Sequence, residues 1–149
     1  MAEVVAVCIS EKRGTKKHTV PYIELKINHG IVSDAHAGDW HRQVSLLSVE
    51  SVDKMRTDTL NFGPGDFAEN ILTKGLELFT LPVGTLLSVG ETILEITQIG
   101  KKCHNDCEIK KLVGTCVMPT EGIFAKVIKE GRVYPRDNIN VLEAKYETD

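Results

Sequence analysis

The sequence predicts a mainly-β domain of the α+β kind, a mixed β-barrel with one or two short helices, occupying residues 1–149 as one unit. Three observations predict it. Short apolar segments recur along the chain, each bounded by Gly, Pro or Asn, which is the pattern of closely spaced strands. Only one stretch carries a helical apolar stripe behind a capping residue. Neither an internal repeat nor a low-complexity tract divides the chain, and 42% hydrophobic with 26% charged residues is ordinary globular composition.

Taken in order, Glu3–Ile9 (EVVAVCI) is β-branched and apolar, a buried strand with Cys8 as a small core residue. EKRGTKKHTVPY then reads as a charged loop ending at Pro21. Ile23–Ile27 alternates apolar and polar, the period of a half-buried strand, and His29-Gly30 marks a turn. Gly30–Trp40 has no period and reads as loop. Val44–Leu47 is a further short strand. Ser48 is placed to cap a helix running to about Arg56, with Glu50 in its first turn and Val49, Val52 and Met55 as its stripe. Phe62–Glu69 is a Gly- and Pro-rich loop in which Phe67 plugs the core. NILTKG, LELF, GTLLSVG, TILEITQIG, GIFAKVIKEG and INVLEA follow as short apolar segments, with hairpin connections expected at Val89-Gly90-Glu91 and Glu130-Gly131-Arg132. Met118 and Phe124 are expected in the core.

Composition removes several functions. The net charge is −3 and the pI about 6.0, so no general attraction to nucleic acid is expected. No apolar run approaches the roughly 18–20 residues of a membrane span. The start MAEVVAVCISEKRG lacks a basic segment followed by a long apolar one, so no membrane association and a cytoplasmic location are expected. In that setting the four cysteines, Cys8, Cys103, Cys107 and Cys116, are read as reduced thiols.

Three clusters carry chemistry. In TQIGKKCHNDCEIKK, a zinc site would use Cys103, His104, Cys107 and Cys116, but the CxxxC spacing and the adjacency of His104 to Cys103 close poorly round one ion, so no zinc is expected. Cys103 and Cys107 share a face if the stretch is helical, yet the CxxC motif of thioredoxin-like proteins is missing. A reactive thiolate fits the neighbours: Lys101, Lys102 and His104 flank Cys103, and cations lower a thiol's pKa. The bland alternative is a solvated basic surface with a half-buried cysteine. In DAHAGDWHRQ, Asp34, His36, Asp39, His41 and Arg42 share one loop around the lone Trp40. Arg42 offers a guanidinium fork to phosphate or carboxylate, or braces the loop through Asp34 or Asp39; both readings stay open. In GPGDFAENI, Gly63 and Gly65 permit close backbone approach, but Asp66 and Glu69 oppose an anion there, so a structural role leads.

These segments, in this order, resemble the MOSC domain, named for the C-terminal domain of molybdenum-cofactor sulfurase, in its small stand-alone bacterial form. The resemblance runs through GIVSDAHAGDWHRQVSLL, GPGDFAENI, LPVGTLLSVGETILEITQIGKKCHNDCEI and GTCVMPTEGIFAKVIKEG, from about Pro21 to Glu143. It implies a β-barrel-like fold and a role in handling sulfur or molybdenum cofactor. The family's characteristic cysteine falls on Cys103. The resemblance implies that Cys103 accepts sulfur as a persulfide from a pyridoxal-phosphate-dependent cysteine desulfurase and passes it to a metal-cofactor centre, or else ligates molybdenum. A molybdoenzyme or cofactor-biosynthesis protein is the implied recipient. Arg42, Lys101, Lys102, His104, His36 and Asp34 are then expected to bind molybdenum cofactor (molybdopterin) transiently, with Cys107 as a resolving thiol. A non-catalytic module binding the cofactor or molybdate is the alternative. Ser33 stands where glycine is usual before DAHAG, and Lys101-Lys102 stand where larger relatives carry arginine and proline.

Overall fold

The computed structural model describes residues 2–12, 15–54, 62–100 and 121–144. Among them the order is β1 (Glu3–Ile9), β2 (His18–Val20), β3 (Ile23–Lys26), β4 (Gly30–Ile31), β5 (Val44–Ser48), α1 (Val49–Asp53), β6 (Ile71–Lys74), β7 (Thr85–Val89), β8 (Thr92–Ile99), β9 (Ile123–Lys129), β10 (Gly131–Val133) and β11 (Ile139–Ala144). The fold is mainly β, as the apolar segments require.

Eight strands form one sheet in the order β11-β7-β8-β9-β5-β6-β1-β2, and β10-β3-β4 form a second. Among the described residues the large sheet does not close edge to edge into the expected β-barrel, while the mainly-β class holds. β2 covers the free edge of β1 along Val7–Ile9. Only the start of β1 therefore reaches the approach to β11, through a bridge between Glu3 and Asn138 and a 2.8 Å bond from Val4 N to Asp137 O.

β5 lies at the centre and is buried along its length, between antiparallel β9 and parallel β6. Alternation along β1, β5, β6 and β9 sends side chains to both faces. Val4, Val44, Leu46, Ile71, Ile123 and Ala125 join the larger core on one face. Cys8, Leu47, Leu72, Phe67 and Phe124 join a smaller core on the other, where α1 contributes Val52. Each such large apolar side chain removed from water contributes about 1.5–3 kcal/mol. Cys8, Phe67 and Phe124 are buried as expected; Met118 lies outside the described residues.

Four local expectations are corrected. Gly30–Ile31, read as the start of a loop, is the short strand β4, paired with Leu25 and Lys26 of β3. His18–Val20 is not loop but strand, because Thr19 and its neighbours register against Cys8 in a hairpin with β1. Glu130-Gly131 is not a hairpin: β9 pairs with β8 and β5, while β10 pairs with β3, so the bend carries the chain from one sheet to the other. LELF forms a 3-10 turn over Leu78–Thr80 rather than a strand, with Leu78 as its buried anchor. The Val89-Gly90-Glu91 hairpin is observed. The helix begins as expected, with Ser48 Oγ accepting from Ser51 N at 3.1 Å; Met55 and Arg56 lie outside the described residues.

Candidate functional site

The loop from β4 to β5 is built round a buried charge pair that the residue pattern did not disclose. Lys17 and Asp34 have fully buried side chains 2.8 Å apart. Lys17 Nζ also lies 3.0 Å from Ser10 Oγ and 3.1 Å from His36 Nδ1. An ammonium only donates, so His36 Nδ1 accepts and the ring proton sits on Nε2. Asp34 accepts from Ser10 N at 3.1 Å and from His36 N at 3.0 Å. Burial works to raise the Asp34 pKa, but the Lys17 ammonium and the His36 backbone N–H, which both donate to the carboxylate, outweigh it and hold the carboxyl well below its ordinary value. Asp34 is thus turned inward as the loop's anchor, and His36, with 16% of its side chain exposed, stands in front of it.

Arg42 sits beyond. Trp40 Nε1 donates to His36 O at 2.8 Å, which fixes the indole. The Arg42 guanidinium then lies 5.5 Å from the Trp40 ring centroid and 5.5 Å from that of Phe124. Two such cation–π contacts are worth about 0.5–2 kcal/mol each and orient the fork. Bracing of the loop by an Arg42 pair with Asp34 is not what the structure shows, because Asp34 is taken by Lys17. Among the described residues no carboxylate pairs with Arg42, and its Nε is buried without a partner. Only Nε is withdrawn from water while the side chain as a whole is half-buried, so an anion reaching the fork would supply the partner that Nε lacks. The site therefore fits an anionic group.

The GPGDFAEN loop supports the same region from behind. Lys17 N donates to Gly65 O at 2.9 Å, and a Cβ on Gly65 would stand 2.0 Å from Lys17 O, at a φ of +85°. Only glycine allows this approach. Glu69 is 0% exposed and accepts from Gly65 N at 2.8 Å and Phe67 N at 3.1 Å. Burial raises its pKa to about 7 against those two bonds. Asn70 ties β1 to β5, accepting from Ser45 N and donating to Cys8 O. Burial, reinforced by Glu69, pushes the Cys8 thiol up to about 12, so it stays protonated and inert.

Cys103, Lys101, Lys102, His104, Cys107 and Cys116 lie outside the described residues. The flanks of their segment are well anchored. Gly100 N donates to Gly122 O at 2.6 Å, and Gln98 Nε2 donates to Gly100 O at 2.7 Å. Gln98 Oε1 accepts from His41 Nε2 at 2.9 Å, while Thr97 Oγ1 donates to His41 O. On the other flank, Glu121 accepts from Ser51 Oγ at 2.5 Å and Lys54 Nζ at 3.0 Å. The Arg42 loop is thus wired to the point where residues 101–120 leave and rejoin the sheet. Lys17, Ser10 and Gln98 were missed by sequence reasoning. A lysine in KRGTKKHT carries no mark of burial, and the only signal was the acid in DAHAG needing a partner. Among the described residues no group of three or more His, Cys, Asp or Glu is placed to hold a metal ion, and no helix is long and apolar enough to cross a membrane.

A family model for the MOSC domain matches residues 33–140. The chain belongs to the MOSC domain family. Its fold is similar to that of YuaD from Bacillus subtilis, with a TM-score of 0.76 at 17% identity over 95% of this chain and 96% of that one. YiiM from Geobacillus stearothermophilus is similar at a TM-score of 0.73 and 15% identity, covering 96% of this chain and 76% of that one. YiiM from Escherichia coli gives 0.65 and 19%, over 95% and 70%. No curated protein sequence matches the chain. The MOSC domain family is associated with the C-terminal domain of molybdenum-cofactor sulfurase.

Proposed function

We propose that this MOSC domain is a sulfur carrier or transferase-like protein of molybdenum-cofactor metabolism, with Cys103 as the sulfur-accepting thiol. The observation that carries it is Arg42: an oriented guanidinium with a buried, unmatched Nε, in a loop tied by His41 and Gln98 to the flank of the Cys103 segment. Arg42 and His36, with Asp34 behind it, and Lys101, Lys102 and His104 from the adjoining segment would hold the anionic cofactor. When bound, that cofactor supplies a metal centre able to receive sulfide.

The protein's own step is a thiol exchange. The Cys103 thiolate attacks the outer sulfur of a donor persulfide, a new S–S bond forms, and the donor's S–S bond breaks with departure of its thiolate. The donor is a pyridoxal-phosphate-dependent cysteine desulfurase, and the recipient a molybdoenzyme or cofactor-biosynthesis protein. Cys107 resolves the persulfide by attacking the Cys103 sulfur, forming the Cys103–Cys107 disulfide and releasing the outer sulfur as hydrosulfide, the two thiols supplying the two electrons. The reaction needs reduced thiols, as the cytoplasm provides.

Incubation with a cysteine desulfurase and cysteine, followed by mass spectrometry, is expected to show one added sulfur on Cys103. Acceptance by Cys103→Ala equal to that of the parent would overturn the carrier role. Arg42 serves a purely binding module as well, and calorimetric binding of cofactor or molybdate without persulfide formation would establish that reading instead.

A further inference from the structure

On the outer face of β8 and β9 an open cavity of about 330 Å³ lies between the turn at Ile27-Asn28 and residues 39–43, within the range of small-molecule pockets. Trp40 and Ile128 line it with apolar surface, Val127 borders it with its backbone, and Gln43 and Lys126 add polar groups. Gln43 is 2% exposed. Its Oε1 accepts from Val127 N at 3.0 Å, and a backbone N–H only donates, so the amide orientation is fixed. The remaining NH2 belongs to a side chain that lines the cavity, and no described group accepts from it. Lys126 Nζ stands 3.8 Å from Glu95 Oε1, a loose ion pair too long for a hydrogen bond. The cavity therefore holds a buried amide donor and a cation beside an indole and aliphatic surface. Asp39, exposed at the same cavity, sets a limit on negative charge.

We infer that this cavity binds a small monocarboxylate with a flat apolar body. The carboxylate is received by the Gln43 amide and the Lys126 ammonium, and the body lies against Trp40 and Ile128. A carboxylate accepts only, so it matches two donors where a neutral amide of the same shape would set NH2 against NH2. A second carboxylate would meet Asp39, so dicarboxylates are disfavoured. Binding here needs no chemistry at Cys103, although Trp40 belongs both to this cavity and to the Arg42 loop.

The test uses benzoate, benzamide and isophthalate, followed by amide chemical shifts in nuclear magnetic resonance titrations of the whole protein. Benzoate is expected to shift Asn28, Val127 and Ile128, with benzamide and isophthalate at least about tenfold weaker, the worth of one charge-assisted hydrogen bond. Lys126→Met should weaken benzoate by a similar factor. Gln43→Glu keeps an acceptor for Val127 N and replaces the donor by a negative charge, so it should abolish binding. Cys103→Ala should bind benzoate like the parent, which separates this site from the carrier role. Benzamide binding as tightly as benzoate, or unchanged benzoate binding by Lys126→Met, overturns the proposal.

Discussion

Lys17 shows how one buried side chain can set the state of another. Its ammonium stands within 3.1 Å of Ser10 Oγ, Asp34 Oδ1 and His36 Nδ1. His36 consequently presents Nε2–H outward as a donor, suited to an anion and unsuited to abstracting a proton through Nδ1. Lys17→Met leaves Asp34 buried without its counter-charge and should cost about 3–5 kcal/mol in urea unfolding. The same variant should release the tautomer preference of His36, visible in its ring nitrogen shifts. Retention of a pure Nε2–H form would show that Lys17 is only a structural brace. Arg42 was legible in the sequence as an anion-binding candidate because an arginine entering a strand after an acidic loop needs a partner. Its actual neighbours were not legible, since Phe124 lies far along the chain and meets it only across the β5–β9 pairing.

At the scale of elements, two backbone positions decide how the loops sit. Gly65 approaches Lys17 so closely that Gly65→Ala forces the two loops apart as well as imposing a φ of +85° on an L-residue. A loss of several kcal/mol is beyond what strain alone gives, about 1–2 kcal/mol for the left-handed region, and the excess measures the lost packing. Ser33 is the converse case. It adopts a φ of 72° just before Asp34, where the family usually places glycine. Ser33→Gly should therefore raise stability by up to about 1 kcal/mol, the strain relieved less the entropy glycine adds to the unfolded chain. A lower melting temperature for Ser33→Gly would mean that the hydroxyl makes a contact outweighing the strain. The element pattern itself followed from alternation in β3 and from apolar, turn-bounded composition in β1, β5, β7 and β8. β2 escaped it because HTV is too short and polar to show a period, and it becomes a strand only by pairing with β1.

For the whole molecule, the two buried carboxyls set opposite limits on pH. The Glu69 pKa is raised from 4.5 to about 7, so its contribution is fully present below pH 4.5 and is lost as pH rises through 7. That shift corresponds to about 3 kcal/mol between the two ends. The Asp34 pKa is lowered, so its contribution is present above the ordinary value of 3.8 and is lost as pH falls below it. Stability should therefore peak near pH 5, rising on acidification from 8 and falling again below about 4. Glu69→Gln should flatten the limb between pH 5 and 8; an unchanged limb in thermal unfolding would assign it to other groups. The amino-acid sequence by itself determined the mainly-β class, the central VSLL strand, the capped helix and the order of motifs, because period, turn chemistry and capping act between neighbours. Tertiary structure alone decided that Lys17 pairs with Asp34, that Arg42 lies between Trp40 and Phe124 with no carboxylate partner among the described residues, and that β2 ends the large sheet. Those outcomes depend on contacts between residues distant in sequence, where burial and strand pairing choose the partner and local pattern carries no information.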